Sequence, residues 1–181
     1  MAGLGKFPLA AQADRTPNKN SFMPLSSSMV CRLQHQHFSV REIAGDIPDH
    51  ILRLRVQPGK WSAFENIAHL TAYQPVFAER LERIDREASP AFERYVAEND
   101  PLFPGYLERS AASLFQQLAV DRARIQSLIE TGGDSFLERT ALHARYGRLT
   151  VKDWIEFFLL HESHHLYTIF ALVRDLRANL H

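Results

Sequence analysis

The sequence is short of almost everything that would assign a protein to a specialised class. It contains a single cysteine, Cys31, which excludes an internal disulfide and any thiolate-rich metal site, and fits a reducing compartment. Cys31 sits close to an irregular amino-terminal stretch and reads as a bystander thiol, not a nucleophile. Neither charge is in surplus: 21 basic residues face 21 acidic ones, and no run of like charge forms a basic arm, so a nucleic-acid role has no electrostatic footing. No apolar run approaches the roughly 20 residues that span a bilayer. The apolar stretch after Lys6 is broken by Pro8 and Gln12 and is too short for a secretory signal. These absences point to a cytoplasmic protein without membrane or nucleic-acid partners. Strand signals are also nearly missing, which leaves an all-α fold.

What is present is helical. Residues 1–30 hold Pro8, Pro17, Pro24 and the serines Ser26, Ser27 and Ser28 without a sustained period, and read as a flexible tail before one domain over 31–181. A first short helix is expected over about His35 to Asp46. Ser62-Ala-Phe-Glu65 is a capping box, predicting a second helix from there to about Ala88, with a bend allowed at Pro75. Apolar residues three or four apart from Leu107 to Leu128 predict a third over about Tyr106 to Glu130, stopped by Gly132-Gly133. Thr150-Val-Lys-Asp153 opens the fourth, which runs to about Arg177. A four-helix bundle is the economical arrangement of such elements. The linker from about Ser89 to Gly105 is long enough to cross the length of a helix, so the second and third helices can be parallel.

The chemistry lies in the histidines. On the fourth helix Trp154, Phe158, His161, His165, Thr168 and Leu172 alternate four and three residues apart, a seam facing the bundle interior. Histidines at i and i+4 lie one turn apart on one face and can share an ion. Buried in an apolar stripe they need partners, and a shared cation satisfies both. The best third ligand is His69, one turn after Glu65 on a helix whose Phe64, Ile67, Ala68 and Ala72 mark a buried flank. Glu65, one turn before His69, could orient a ligand, but its capping role explains it without a metal. His164 points about 100° away from His165 and stays out of the ligand set. His143 and Tyr146, ahead of the fourth helix, are weak candidates for an acid, a base or a substrate contact. His35, His37, His50 and His181 belong to no constellation; Arg109, Arg122 and Arg124 could hold an anionic substrate or a thiol's carboxylates through bidentate pairs, but read as ordinary surface arginines and are not taken as sites. Imidazole ligands suit zinc or nickel, with iron and manganese as alternatives.

Gly59-Lys60-Trp61-Ser62-Ala-Phe-Glu65-Asn66-Ile-Ala-His69-Leu70, then Tyr146-Gly147-Arg-Leu-Thr150 and His161-Glu-Ser-His164-His165-Leu166, closely resemble the DinB/YfiT-like superfamily over about residues 35–177. The resemblance implies a four-helix bundle in up-down-down-up order, one divalent metal on His69, His161 and His165, and homodimers. It also implies a metal-dependent hydrolase or a thiol S-transferase or isomerase, acting on a small molecule with water or a low-molecular-weight thiol. Three protein ligands leave a coordination position open, as in catalytic sites. The competing expectation is a non-catalytic metal- or ligand-binding bundle.

Overall fold

The computed structural model describes residues 25–179. The helices are α1 (Ser27–His35), α2 (Ser39–Ala44), α3 (Asp49–Leu52), α4 (Ala63–Arg86), α5 (Phe103–Leu107), α6 (Ala111–Leu137) and α7 (Val151–Asn179). Of these, α4, α6, α7 and the α1–α2 run joined by a 3-10 turn at Gln36–Phe38 make the four rods of the bundle. No helix among the described residues is long and apolar enough to cross a membrane.

The side-chain pairings set the directions. Arg32, Gln36 and Arg177 reach Glu156, the Leu159 carbonyl and Asp46 respectively, so the first rod runs parallel to α7. Thr71 meets the Leu114 carbonyl and Gln74 meets Arg122, so α4 and α6 are parallel. Phe77 stacks on Phe158 at 4.2 Å and Asn66 bonds His165, so α4 and α7 are antiparallel. This is the up-down-down-up order, and residues 87–110 supply the crossover that two parallel neighbours demand.

Helix starts are written in local chemistry. Ser62 Oγ accepts from Glu65 N while Glu65 Oε2 accepts from Ser62 N, and Thr150 and Asp153 make the same reciprocal pair. Each such cap stabilises its helix by about 1 kcal/mol. The serine run expected in a tail does related work: Ser26 Oγ accepts from Met29 N and caps α1 at Ser27, so ordered helix begins inside the segment assigned to the tail. The remainder of that segment, residues 1–24, lies outside the described residues, as does His181. The third rod begins at Ala111, capped by Ser110, not at Tyr106; Tyr106 belongs to the separate turn α5. Gly133, at φ +63°, breaks α6 where a stop was expected, and one further turn follows.

A small sheet accompanies the helices where strand signals were nearly missing. β1 (Ala91–Phe92), β2 (Thr140–His143) and β3 (Gly147–Thr150) form a small sheet, β1 parallel and β3 antiparallel to β2. Strands of two to four residues are too short to show a period of two, which is why the pattern hid them. The sheet closes one end of the bundle, and β3 leads directly into α7.

The core falls into two apolar clusters. One gathers Leu52, Ile67, Leu70, Leu114, Leu118 and Leu172; the other, at the sheet end, gathers Phe77, Leu81, Ile125, Trp154 and Phe158. Between them lies a layer of polar side chains drawn from α4, α6 and α7.

Candidate metal centre

His69 occupies the inward face of α4 and His161 and His165 that of α7, one turn apart. Their ring centroids are 5.1, 4.5 and 4.7 Å from one another, and one ring nitrogen of each lies within 4.8 Å of those of the other two. His69 Nε2 and His161 Nε2 are 3.1 Å apart. Two nitrogens each 2.0–2.1 Å from a tetrahedral ion would stand about 3.3 Å apart, so this donor set fits a small divalent cation.

Protonation favours the same use. Burial, then the neighbouring imidazoles, pull all three histidines down to about 3, so near neutral pH the rings are uncharged and keep a lone pair. The tautomer of His165 is set by a relay. Asn66 Nδ2 donates to the Ser62 carbonyl at 2.8 Å, which turns Asn66 Oδ1 toward His165 at 2.8 Å. Only an Nδ1–H can fill that contact, which leaves His165 Nε2 as the lone-pair nitrogen. Nδ1 of His69 and of His161 are buried with no hydrogen-bond partner among the described residues.

The trio opens on a cavity of about 380 Å³, walled by Trp61, Tyr73, Tyr95, Phe157, Arg80 and His143, a size suited to a small organic molecule. Tyr95 comes from the crossover after β1 and lies 5.7 Å from the His69 ring, its hydroxyl donating to Asp100. A second, larger cavity of about 630 Å³ lies beyond the same crossover and shares Arg80, Arg94, Tyr95 and Val96.

Of the two weak candidates, the structure brings His143 to the cavity wall and leaves Tyr146 outside it. His143 is a buried strand residue, not a loop residue, and its Nδ1 accepts from Arg145 N and Tyr146 N, so its proton sits on Nε2. Tyr146 is 51% exposed and packs against the outer side of the His143 ring. Glu65 reaches Ser62 and Arg55, and its capping role is the one realised. His164 is exposed at the cavity rim, off the trio.

Arg122, read from sequence as a surface arginine, is wholly buried and pairs with Glu162 at 2.5 Å. Sequence reasoning also missed Asn66 and Arg80 as part of the site. Asn66 could have been found, since it stands three residues before His69 and therefore on the same helical face. Arg80 could not, because only the fold brings the crossover over it.

Fold and cavity thus define a helical bundle with a histidine trio at the floor of a small-molecule cavity. The chain belongs to the DinB superfamily, whose family model matches residues 32–169. Among solved structures it resembles YfiT from Bacillus subtilis, described as a probable metal-dependent hydrolase with an unusual four-helix bundle topology. That likeness has a TM-score of 0.71 at 16% identity and covers 92% of this chain and 93% of that one. A DinB-like protein of Bacillus subtilis, YjoA, matches with a TM-score of 0.58 at 18% identity, over 82% of this chain and 91% of that one. At such identities the likeness establishes the fold. No curated protein matches the chain at a significant level.

Proposed function

We propose that this protein is a metal-dependent enzyme acting on a small molecule, with one divalent ion, zinc or nickel, held by His69, His161 and His165. The reaction we assign is hydrolysis, or transfer of a low-molecular-weight thiol to an electrophilic substrate. The observation that carries the reading is the meeting of three uncharged imidazoles, one buried and two partly buried, from two helices at the floor of a cavity with room for a ligand. When bound, the ion supplies Lewis acidity at a coordination position that the protein leaves free, lowering the pKa of water or of a thiol brought there. The chain's own residues do the rest. Asn66 orients the His165 ring through its Nδ1–H. Trp61, Tyr95 and Phe157 exclude bulk water and give an apolar body something to pack against. His143, with its proton on Nε2, is the wall residue able to donate to a departing atom.

The test is elemental analysis of protein purified without a metal-affinity resin. We expect about one equivalent of a divalent metal per chain, or its recovery on adding zinc or nickel, and its loss in His161→Ala while the helical circular dichroism persists. Native protein that neither carries nor takes up zinc, nickel, manganese or iron would end this reading. Metal uptake without turnover of ester, amide or thiol-acceptor substrates would reduce it to a non-catalytic binding module.

A further inference from the structure

Arg80 stands out among the buried charges. It projects from α4 and is 8% exposed, its guanidinium 5.7, 5.5 and 5.6 Å from the rings of Tyr73, Phe92 and Trp154. One Nη donates to the Tyr73 hydroxyl at 3.0 Å and the other to the Glu93 carbonyl at 2.7 Å. Guanidinium carries five N–H donors, so the rest of its fork is unspent. Among the described residues it makes no ion pair. Burying a cation without a counter-ion is costly, and Arg122, deeper still, shows the usual remedy in Glu162. Aromatic faces and neutral acceptors soften the cost but leave the charge uncompensated.

Its surroundings carry both signs: Glu79, Glu93 and Asp100 line the larger cavity beside it, but among the described residues none of their carboxylates pairs with it. Arg94 and His143 line the cavity of the histidine trio, and the Tyr73 hydroxyl on its wall accepts from Arg80. Glu98, on the exposed crossover, is the carboxylate among the lining residues and is not paired with Arg80. Arg80 also lines the larger cavity, at the junction of the two.

We propose that Arg80 is the anchoring residue for an anionic group of the substrate, a carboxylate or phosphate carried on a small molecule whose flat apolar body packs between Trp61, Tyr95 and Phe157. The missing counter-ion arrives with the ligand. A planar oxyanion takes the remaining donors in the geometry that arginine binds best, and the Glu93 and Tyr73 contacts hold the fork facing the cavity. This rests on the reading of the cavity as a substrate site, but not on the ion.

The experiment titrates benzoate, phenyl phosphate and the neutral isostere benzamide into native protein, metal-free and zinc-loaded, followed by protein NMR shifts. In the metal-free protein we expect at least one anion to bind about tenfold or more tighter than benzamide, with the tighter of the two identifying the preferred oxyanion. Arg80→Met should erase that preference, and stripping the metal with a chelator should keep it. Equal affinity for benzamide and both anions, or no binding of either anion to the metal-free protein, overturns the proposal. So does an Arg80→Met variant that folds and still prefers anions. Should Arg80→Met fail to fold, the native comparison decides alone. Loss of metal uptake with the anion preference intact sinks the metal reading and leaves this one standing.

Discussion

Two buried polar clusters lie on either side of α7, a single residue apart, and one is closed while the other is open. Around Glu162 every partner is internal. Its carboxylate takes Arg122 at 2.5 Å and Gln36 at 2.9 Å, and Arg122 gives two more of its donors to Gln74 and the Leu33 carbonyl. Around His161 the account does not balance: among the described residues two imidazole Nδ1 atoms lack partners and Arg80 lacks a counter-ion. Buried polar groups are normally satisfied. A closed cluster is therefore a structural device, here tying the first rod to α4, α6 and α7, whereas an open one beside a cavity is waiting for a ligand. Neither burial nor residue type separates the two; completeness does.

The contrast breaks most severely at Arg122. Arg122→Met strands the Glu162 carboxylate, which is 1% exposed, and should cost about 3–5 kcal/mol in urea unfolding. The double variant Arg122→Met with Glu162→Leu should recover most of that loss, since an apolar pair of similar volume has no desolvation penalty. Folded protein in either case should bind zinc with native stoichiometry. A single-variant cost below about 1 kcal/mol would show that the closed cluster is not structural.

Acid should reveal the open cluster. His69, His161 and His165 are held down to about 3 by burial and by each other, against about 6.5 in an unfolded chain. Between those values the unfolded state binds more protons, so stability rises with pH across the window and is lost as pH falls below about 6.5. For metal-free protein the loss from pH 7 to 5.5 should be on the order of 1 kcal/mol per histidine, about 3 kcal/mol together. Urea midpoints in a chelating buffer measure it. Replacing all three histidines by leucine should flatten the slope, leaving the smaller contributions of buried His37, itself lowered to about 4, and of His143, which burial also lowers. An unchanged slope would mean that the trio is not held neutral.

Much of this was legible in the sequence because it is written locally. The two capping boxes, the α7 seam and the i, i+4 histidines are relations within one or two helical turns, and each predicted its element or its facing direction correctly. The pairing of Arg122 with Glu162 spans 40 residues, and the placing of Tyr95 over His69 depends on how the crossover folds back. No periodicity encodes such contacts. The strands failed for another reason: β1 to β3 are paired by the ends of the helices they join, not by their own alternation. Ser26 to Ser28 were misread because serine favours loops and N-caps alike, and only the helix that follows decides between them.

Asn66 joins the two kinds of cluster and so sharpens the comparison most finely. It belongs to the open site through His165, yet it is itself closed, donating to the Ser62 carbonyl and accepting from the His165 ring. If the Nδ1–H···O contact sets the tautomer, Asn66→Ala should weaken zinc binding by about 10–100-fold, read by competition with a chromophoric chelator, with little change in metal-free stability. Asn66→Asp keeps an acceptor, with a charge that raises the basicity of the ring it orients, but loses the Nδ2–H bond to the Ser62 carbonyl, so it should recover part of the binding that Asn66→Ala loses. Weakening by both variants alike would mean that the amide fills space without steering the ring, and His165 would then join His69 and His161 as an imidazole oriented by packing alone.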